Sequence, residues 1–257
     1  MNRLRELASE GGIALAFSGG LDSMVLLQLC QNIDLDVLAV HAVGPQFVSE
    51  HSRETVSWLE RRNIDYKIVE HRALDIPEVR KTSPKRCYYC KSALIQSLRE
   101  AAPGRILCDG SHLGDFDGSR PGIKALEEHK VVSPFFDTGF TKFKIHEMAE
   151  FYGLALPKYS GQNCLLTRFE YGRIVQGDEL RVIEAAEAEI GPMLAMLRPM
   201  NFRLRYLNSG PELHVESSEP LPGALNDRIE AILARHGLPG APIKVMAKVS
   251  GYFDLKH

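Results

Sequence analysis

Ile13-Ala-Leu-Ala-Phe17, Ser18-Gly-Gly-Leu-Asp-Ser23 and Met24-Val-Leu-Leu27 follow one another without a break, and they read as a strand, an anion cradle and the start of a helix. The first run is short, apolar and preceded by Gly11-Gly12, the pattern of a strand buried on both faces of a parallel sheet. Gly19 and Gly20 lack a Cβ, so the backbone can turn tightly there and bring its N–H groups up to an anion. Asp22 and Ser23 suit the first turn of a helix, and Leu26, Leu29 and Cys30 then share one helical face. A helix N-terminus adds unpaired N–H donors and partial positive charge, which stabilise a phosphate without a dedicated lysine. The stretch predicts a nucleotide-binding protein. An ordinary Ser-Gly turn is the plain alternative, and neither G-x-x-x-x-G-K-[ST] nor G-x-G-x-x-G supplies a competing phosphate loop.

Outward from this stretch, strand-like and helix-like segments alternate. Val37 to His41, Tyr66 to Val69 and Arg105 to Cys108 read as further strands, with helices at Glu50 to Arg62 and Arg86 to Glu100. This alternation predicts an α/β fold, a doubly wound parallel sheet whose ligand site lies outside the carboxyl ends of its strands. The ends that matter are Phe17, His41, Val69 and Cys108. After a helix at Lys142 to Tyr152, the polar stretch Leu156-Pro-Lys-Tyr-Ser-Gly-Gln-Asn163 reads as a hinge. Two domains are expected, 1–160 and 161–257. The second reads as a helix at Asp178 to Ile190, strands at Phe202 to Tyr206 and Leu213 to Glu216, a helix at Ala224 to His236 and a strand at Ile243 to Val249. That series predicts a small α+β domain with helices on one side of an open sheet.

Composition narrows the function. The 257 residues carry 44% hydrophobic and 25% charged side chains, as in an ordinary globular protein. A net charge of −2 gives no electrostatic footprint for nucleic acid. No apolar run approaches the roughly 20 residues that span a bilayer, and Met1-Asn-Arg-Leu-Arg-Glu6 is no signal-peptide core. No membrane partner and a cytoplasmic location are expected. Five cysteines without regular spacing predict reduced thiols rather than a disulfide framework.

Four constellations carry candidate chemistry. Cys87-Tyr-Tyr-Cys90 with Arg86 and Lys91 is half of a zinc or iron–sulfur site, a redox pair, part of a pocket for an anion, or a plain helix start. Asp109-Gly110 opens an acidic loop through Asp115, Asp117 and Arg120, suited to magnesium or a ribose hydroxyl, or simply to turns. Cys164 stands in a polar loop four residues before Arg168, a cation that would favour the thiolate. A buried, inert cysteine is the other reading. Arg203 and Arg205, at i and i+2 on a strand, share a face and are costly there unless solvated or paired with an anion such as phosphate.

The Ser18–Ser23 motif resembles the pyrophosphate loop of the ATP pyrophosphatase superfamily, with its adenine nucleotide alpha hydrolase-like fold. Together with Arg86-Cys-Tyr-Tyr-Cys-Lys91, Asp109-Gly-Ser111, Arg120-Pro-Gly122, Ser133-Pro134, Thr141-Lys142, Cys164-Leu165, Arg168, Tyr171-Gly172, Ala186-Glu187 and Arg203-Leu-Arg205, it resembles the LarE sulfur-insertion enzymes, ATP-dependent sacrificial sulfur transferases of nickel-pincer nucleotide synthesis. The resemblance implies that Ser18, Gly19, Gly20, Asp22, Ser23, Asp109 and Gly110 bind ATP with Mg2+. It implies a carboxylate of a pyridinium dicarboxylate mononucleotide that is adenylated, then attacked by Cys164, which gives up its sulfur and is left as dehydroalanine. Glu187 matches the acidic residue near that cysteine, and Arg203 and Arg205 match the residues that bind the substrate phosphate, with Arg168 and Lys91 expected beside them. A homo-oligomer is the expected assembly. Some relatives hold an iron–sulfur cluster instead, and the chain departs from the usual pattern at Leu166-Thr167, Ser111-His112 and Phe253. The alternatives are adenylation of another substrate, as in an amidotransferase or a tRNA thiolase, and a non-catalytic nucleotide sensor.

Overall fold

The computed structural model describes residues 2–115, 121–155, 164–197 and 201–253. The chain divides into two compact units, Met1–Ile76 with Lys85–Asn163, and Pro77–Pro84 with Cys164–His257. The expected hinge at 156–163 lies outside the described residues, as do Asp117 and Arg120 of the acidic loop.

In chain order the first unit holds α1 (Asn2–Ser9), β1 (Ile13–Ala16), α2 (Leu21–Gln31), β2 (Val37–Val43), α3 (Ser49–Arg61) and β3 (Tyr66–Glu70). The short α4 (Pro77–Arg80) falls in the second unit, and the first resumes with α5 (Arg86–Ala101), β4 (Ile106–Cys108), α6 (Pro121–Glu128), α7 (Pro134–Asp137) and α8 (Lys142–Phe151). The strands form one sheet in the order β3-β2-β1-β4, every pairing parallel. β1 is central, and side chains alternate across a strand. Ile13 and Leu15 enter a core with Leu4 and Leu7 of α1, Leu27 of α2 and Ile145 of α8, while Ala14 packs on the other face with Ile95 and Leu98 of α5 and Leu126 of α6. Helices thus cover both faces, as the uniformly apolar strand requires. Because consecutive strands point the same way, Phe17, Gly44, His71 and Asp109 all follow strands at the same carboxyl edge.

The second unit holds α9 (Gly177–Leu197), β5 (Phe202–Leu207), β6 (Gly210–Glu216), α10 (Gly223–Arg235) and β7 (Ile243–Met246). Its sheet runs β5-β6-β7, antiparallel between β5 and β6 and parallel between β6 and β7. β7 ends at Met246 rather than at the expected Val249, because its last partner, Glu216, is the end of β6. Conversely, α9 outruns the expected Ile190 and continues past Pro192 to Leu197. Phe202, Leu204, Leu213 and Val215 make the buried apolar face, with Gly191 of α9 close enough to the Phe202 ring that a Cβ would stand 3.4 Å from it. The register places Arg203 beside His214 and Arg205 beside Glu212 on the opposite face. Pro77–Pro84 joins this unit by bonds from the Gly172 amide to the Thr82 carbonyl, 3.3 Å, and from the Val175 amide to the Arg80 carbonyl, 2.8 Å.

Candidate functional site

Two groups of the candidate residues form, one in each unit. In the first, the Phe17 amide still donates to the Val40 carbonyl at 2.9 Å, and the chain then leaves the sheet through Ser18-Gly19-Gly20 into α2. Gly19 has φ +73°, and a Cβ there would stand 2.1 Å from Thr55 Oγ1 on α3, so glycine is required twice over. Ser23 Oγ donates to the Gly20 carbonyl at 2.8 Å and lies 3.2 Å from Ser18 Oγ. Gly20 precedes α2 with no side chain capping the helix, so the first-turn N–H groups stay open to a ligand.

The loop's carbonyls are held from behind. His41 Nδ1 donates to the Phe17 carbonyl at 2.8 Å, and His51 Nε2 donates to the Ser18 carbonyl at 2.7 Å. Burial holds His41 below the ordinary imidazole value, against the pull of its bond to Phe17. Asp22 pairs with Lys142 at the start of α8, with Nζ 2.6 and 2.9 Å from its two oxygens. Gly110, beyond β4, presses on the start of α2: a Cβ there would meet the Ser23 amide nitrogen at 3.0 Å and the Asp22 carbonyl carbon at 3.1 Å. Asp109 is tied down, its oxygens accepting from Ser133 Oγ at 2.7 Å and Ser111 Oγ at 2.6 Å. Ser18, Gly19, Gly20, Asp22, Ser23 and Gly110 therefore come together, with Asp109 anchoring their neighbour.

Cys90 on α5 faces the carboxyl end of β3, its Sγ 3.3 Å from His71 Nε2. Cys87 is exposed, and Lys91 is half-buried on the same helix. Burial pushes the thiols of Cys30 and Cys108 up to about 12, which removes both as nucleophiles at neutral pH.

In the second unit Cys164 is half-buried and leads into a turn of 3-10 helix, Leu165–Arg168, that runs to the free edge of β5. The edge contact is made by a bridge between Phe169 and Tyr206 and by the Glu170 amide on the Tyr206 carbonyl, 3.1 Å. Arg168 is 1% exposed. Its Nε and Nη2 meet the two oxygens of Glu187 at 3.2 and 2.8 Å, while Nη1 donates to the Cys164 carbonyl at 3.0 Å. Glu187 Oε1 also accepts from the Leu204 amide at 2.8 Å, satisfying an edge-strand N–H. One carboxylate of α9 thus fixes both the turn that carries the cysteine and the strand that carries the arginines.

Arg203 and Arg205 are buried and belong to one cationic cluster with Arg168. Arg203 is pulled down to about 10, first by burial and then by Arg168. Arg205 is pulled down to about 10 as well, by burial and then by Arg203 and Arg168. Both remain charged at neutral pH. Arg205 donates to the Thr167 carbonyl at 3.2 Å and the Val249 carbonyl at 2.5 Å, and its guanidinium carbon lies 4.9 Å from the ring centres of both Tyr252 and Phe253. Its Nε is buried and finds no hydrogen-bond acceptor among the described residues. Buried guanidinium groups in this number, around a single Glu187 carboxylate, have the chemistry to pair with an anion.

Several participants have little sequence signal. His51 and Thr55 reach the loop because they sit one turn apart on α3, and nothing in their local sequence marks them. His41 stands at a predicted strand end, which is a usable signal. On the second unit's polar face, His214 bonds Glu212 at 2.9 Å and Lys244 bonds it at 2.8 Å, a chain set by strand register. Among the described residues, no three His, Cys, Asp or Glu side chains gather to hold a metal ion, and no helix is long and apolar enough to cross a membrane.

No family model matches the chain. Its relatives include the uncharacterized protein MJ0830 of Methanocaldococcus jannaschii, 32% identical over 190 residues that make up 72% of this chain and 72% of that protein. The uncharacterized protein slr1717 of Synechocystis is 28% identical over 192 residues, 73% of this chain and 72% of its own length. A more distant relative is the pyridinium-3,5-bisthiocarboxylic acid mononucleotide synthase of Lactiplantibacillus plantarum, 26% identical over 180 residues, 68% of this chain and 65% of that enzyme. The chain belongs to the same family as MJ0830.

Proposed function

We propose that this protein is an ATP-dependent sulfur transferase that adenylates a carboxylate of a pyridinium dicarboxylate mononucleotide and transfers to it the sulfur of Cys164. The observation that carries the reading is the setting of Cys164: its main-chain carbonyl is held by Arg168, whose neighbours Arg203 and Arg205 form a buried cationic cluster suited to a substrate phosphate. The name of the Lactiplantibacillus plantarum relative, a pyridinium-3,5-bisthiocarboxylic acid mononucleotide synthase, supports sulfur insertion into a pyridinium carboxylate as the overall outcome.

ATP is a substrate in this scheme. The substrate carboxylate attacks its α phosphorus, the bond to the bridging oxygen breaks, and pyrophosphate leaves. The amides of Ser18, Gly19 and the first turn of α2 receive that pyrophosphate, with Lys142 close by on Asp22. Magnesium arriving with the nucleotide needs one or two carboxylates besides phosphate oxygens; Asp22, paired with the exposed Lys142 side chain, and Asp109, held by the Ser111 and Ser133 hydroxyls, are the carboxylates beside the loop. The Cys164 thiolate then adds to the activated carbonyl, the C–O bond to the phosphate breaks, and AMP departs to leave a thioester. A sulfur nucleophile suits this step because the thiolate is a strong nucleophile near neutral pH. In the last step Cys164 loses its Cα proton and its Cβ–S bond breaks, giving a thiocarboxylate product and dehydroalanine in the chain. Glu187 and Arg168 act as positioning residues for the nucleophile, since their hydrogen bonds fix its backbone.

The half-reactions separate in Cys164→Ala. With ATP, magnesium and the pyridinium substrate, that variant is expected to form pyrophosphate in a single turnover and make no thiocarboxylate. Sulfur transfer by Cys164→Ala at the wild-type rate would remove Cys164 from the mechanism and leave Cys87 and Cys90 as the thiols to test.

A further inference from the structure

The peptide planes of the Ser18–Gly20 loop are fixed by two histidines that come from different elements. A trans peptide points its N–H opposite to its C=O, and no peptide bond here is cis. Holding the Phe17 carbonyl therefore aims the Ser18 amide, and holding the Ser18 carbonyl aims the Gly19 amide. A carbonyl oxygen only accepts, so His41 must carry its proton on Nδ1 and His51 on Nε2. His41 Nε2 is buried without a partner among the described residues, as expected of a ring kept neutral for a single task. Neither the Ser18 nor the Gly19 amide finds an acceptor among the described residues.

We infer that His41 and His51 are positioning residues of the anion loop, holding its carbonyls back so that the Ser18 and Gly19 amides face a bound pyrophosphate group. The inference rests on the nucleotide reading above and adds the device that pre-organises it. Without the two ring donors, each carbonyl is free to rotate toward the anion, and a repulsive oxygen replaces a donor. Thr55 supports the arrangement by donating to the His51 carbonyl at 2.8 Å while filling the space beside Gly19.

The test uses pairs of similar shape that differ in the donor. An asparagine amide can stand where Nδ1 stands, and a glutamine amide where Nε2 stands. Calorimetric binding of inorganic pyrophosphate with magnesium chloride to the full chain should be within about threefold of wild type for His41→Asn and His51→Gln, and about tenfold weaker for His41→Leu and His51→Met. Equal affinity in all four variants, or equal loss in all four, overturns the inference. A second measurement needs no variant: pyrophosphate should slow hydrogen exchange at the Ser18 and Gly19 amides of the wild-type protein. Bound pyrophosphate that leaves both amides exchanging at the free rate also overturns it. A wild-type chain that binds no pyrophosphate at all would instead overturn the nucleotide reading on which the inference stands.

Discussion

Glu187 shows how much one side chain can organise. Its carboxylate is divided between Arg168 and the Leu204 amide, so its removal releases both the cysteine turn and the edge of β5. Because Arg168 is buried beside two more arginines, an uncharged replacement leaves an uncompensated cation. We expect Glu187→Ala to destabilise the second unit by about 3–5 kcal/mol, measured as a drop in the denaturation midpoint, and to lower sulfur transfer. Stability within ~0.5 kcal/mol of wild type would show that the cluster tolerates the extra charge. At this scale the sequence was readable in part. Cys164, Arg168, Arg203 and Arg205 are the residue types the chemistry asks for, and the i, i+2 spacing put the arginines on one face. The partners of Glu187 were not readable from local pattern, because the carboxylate meets residues 19 and 17 positions away. Its assignment came from resemblance alone, and its contacts give it a positioning role in the proposal.

Among the elements, the junction of β1 with α2 and the β4 end that presses on it decides whether the anion loop can form. Gly110 sits against main-chain atoms of α2, which cannot swing aside as a flexible side chain could. Gly110→Ala should therefore push the first turn of α2 from its place, costing about 1–3 kcal/mol as an overpacked contact, and weaken ATP binding. Gly104→Ala is a suitable comparison, since nothing lies near its missing Cβ although its φ is +78°. Gly110 itself is outside the left-handed region, so backbone strain is confined to Gly104→Ala, and steric displacement makes only Gly110→Ala lose ATP. ATP binding lost in Gly104→Ala but kept in Gly110→Ala would contradict this. β1, β2 and β4 were legible because parallel strands buried on both faces are unbroken apolar runs. Helix α6 was less so, lying in a stretch whose Asp and Gly residues read as turns. The end of β7 was misplaced because Val249 is buried for another reason: its amide and carbonyl are taken by Glu216 and Arg205.

At the scale of the whole molecule, the expected architecture of a parallel sheet followed by a small α+β sheet is the one found, since alternation of element types is a long-range signal. The assignment of Pro77–Pro84 to the second unit was beyond sequence reading, because it depends on main-chain bonds to residues about ninety positions on. Three buried histidines, His41, His71 and His214, are held below the ordinary value of 6.5, with burial the largest cause in each. Below that pH the unfolded chain takes up protons that the folded chain resists, so stability is full above it and falls as the pH drops through it. Denaturation midpoints should be flat from pH 7 to 8 and decline from about 6.5 to 5.5; no decline would mean that these rings are protonated without cost. The central claim is that the protein spends its own cysteine, and the intact mass of the chain after one turnover reads it directly. With ATP, magnesium and the pyridinium substrate, the chain should lose the elements of hydrogen sulfide, with the change mapped to Cys164 as dehydroalanine. Formation of thiocarboxylate product while Cys164 keeps its sulfur would contradict the account.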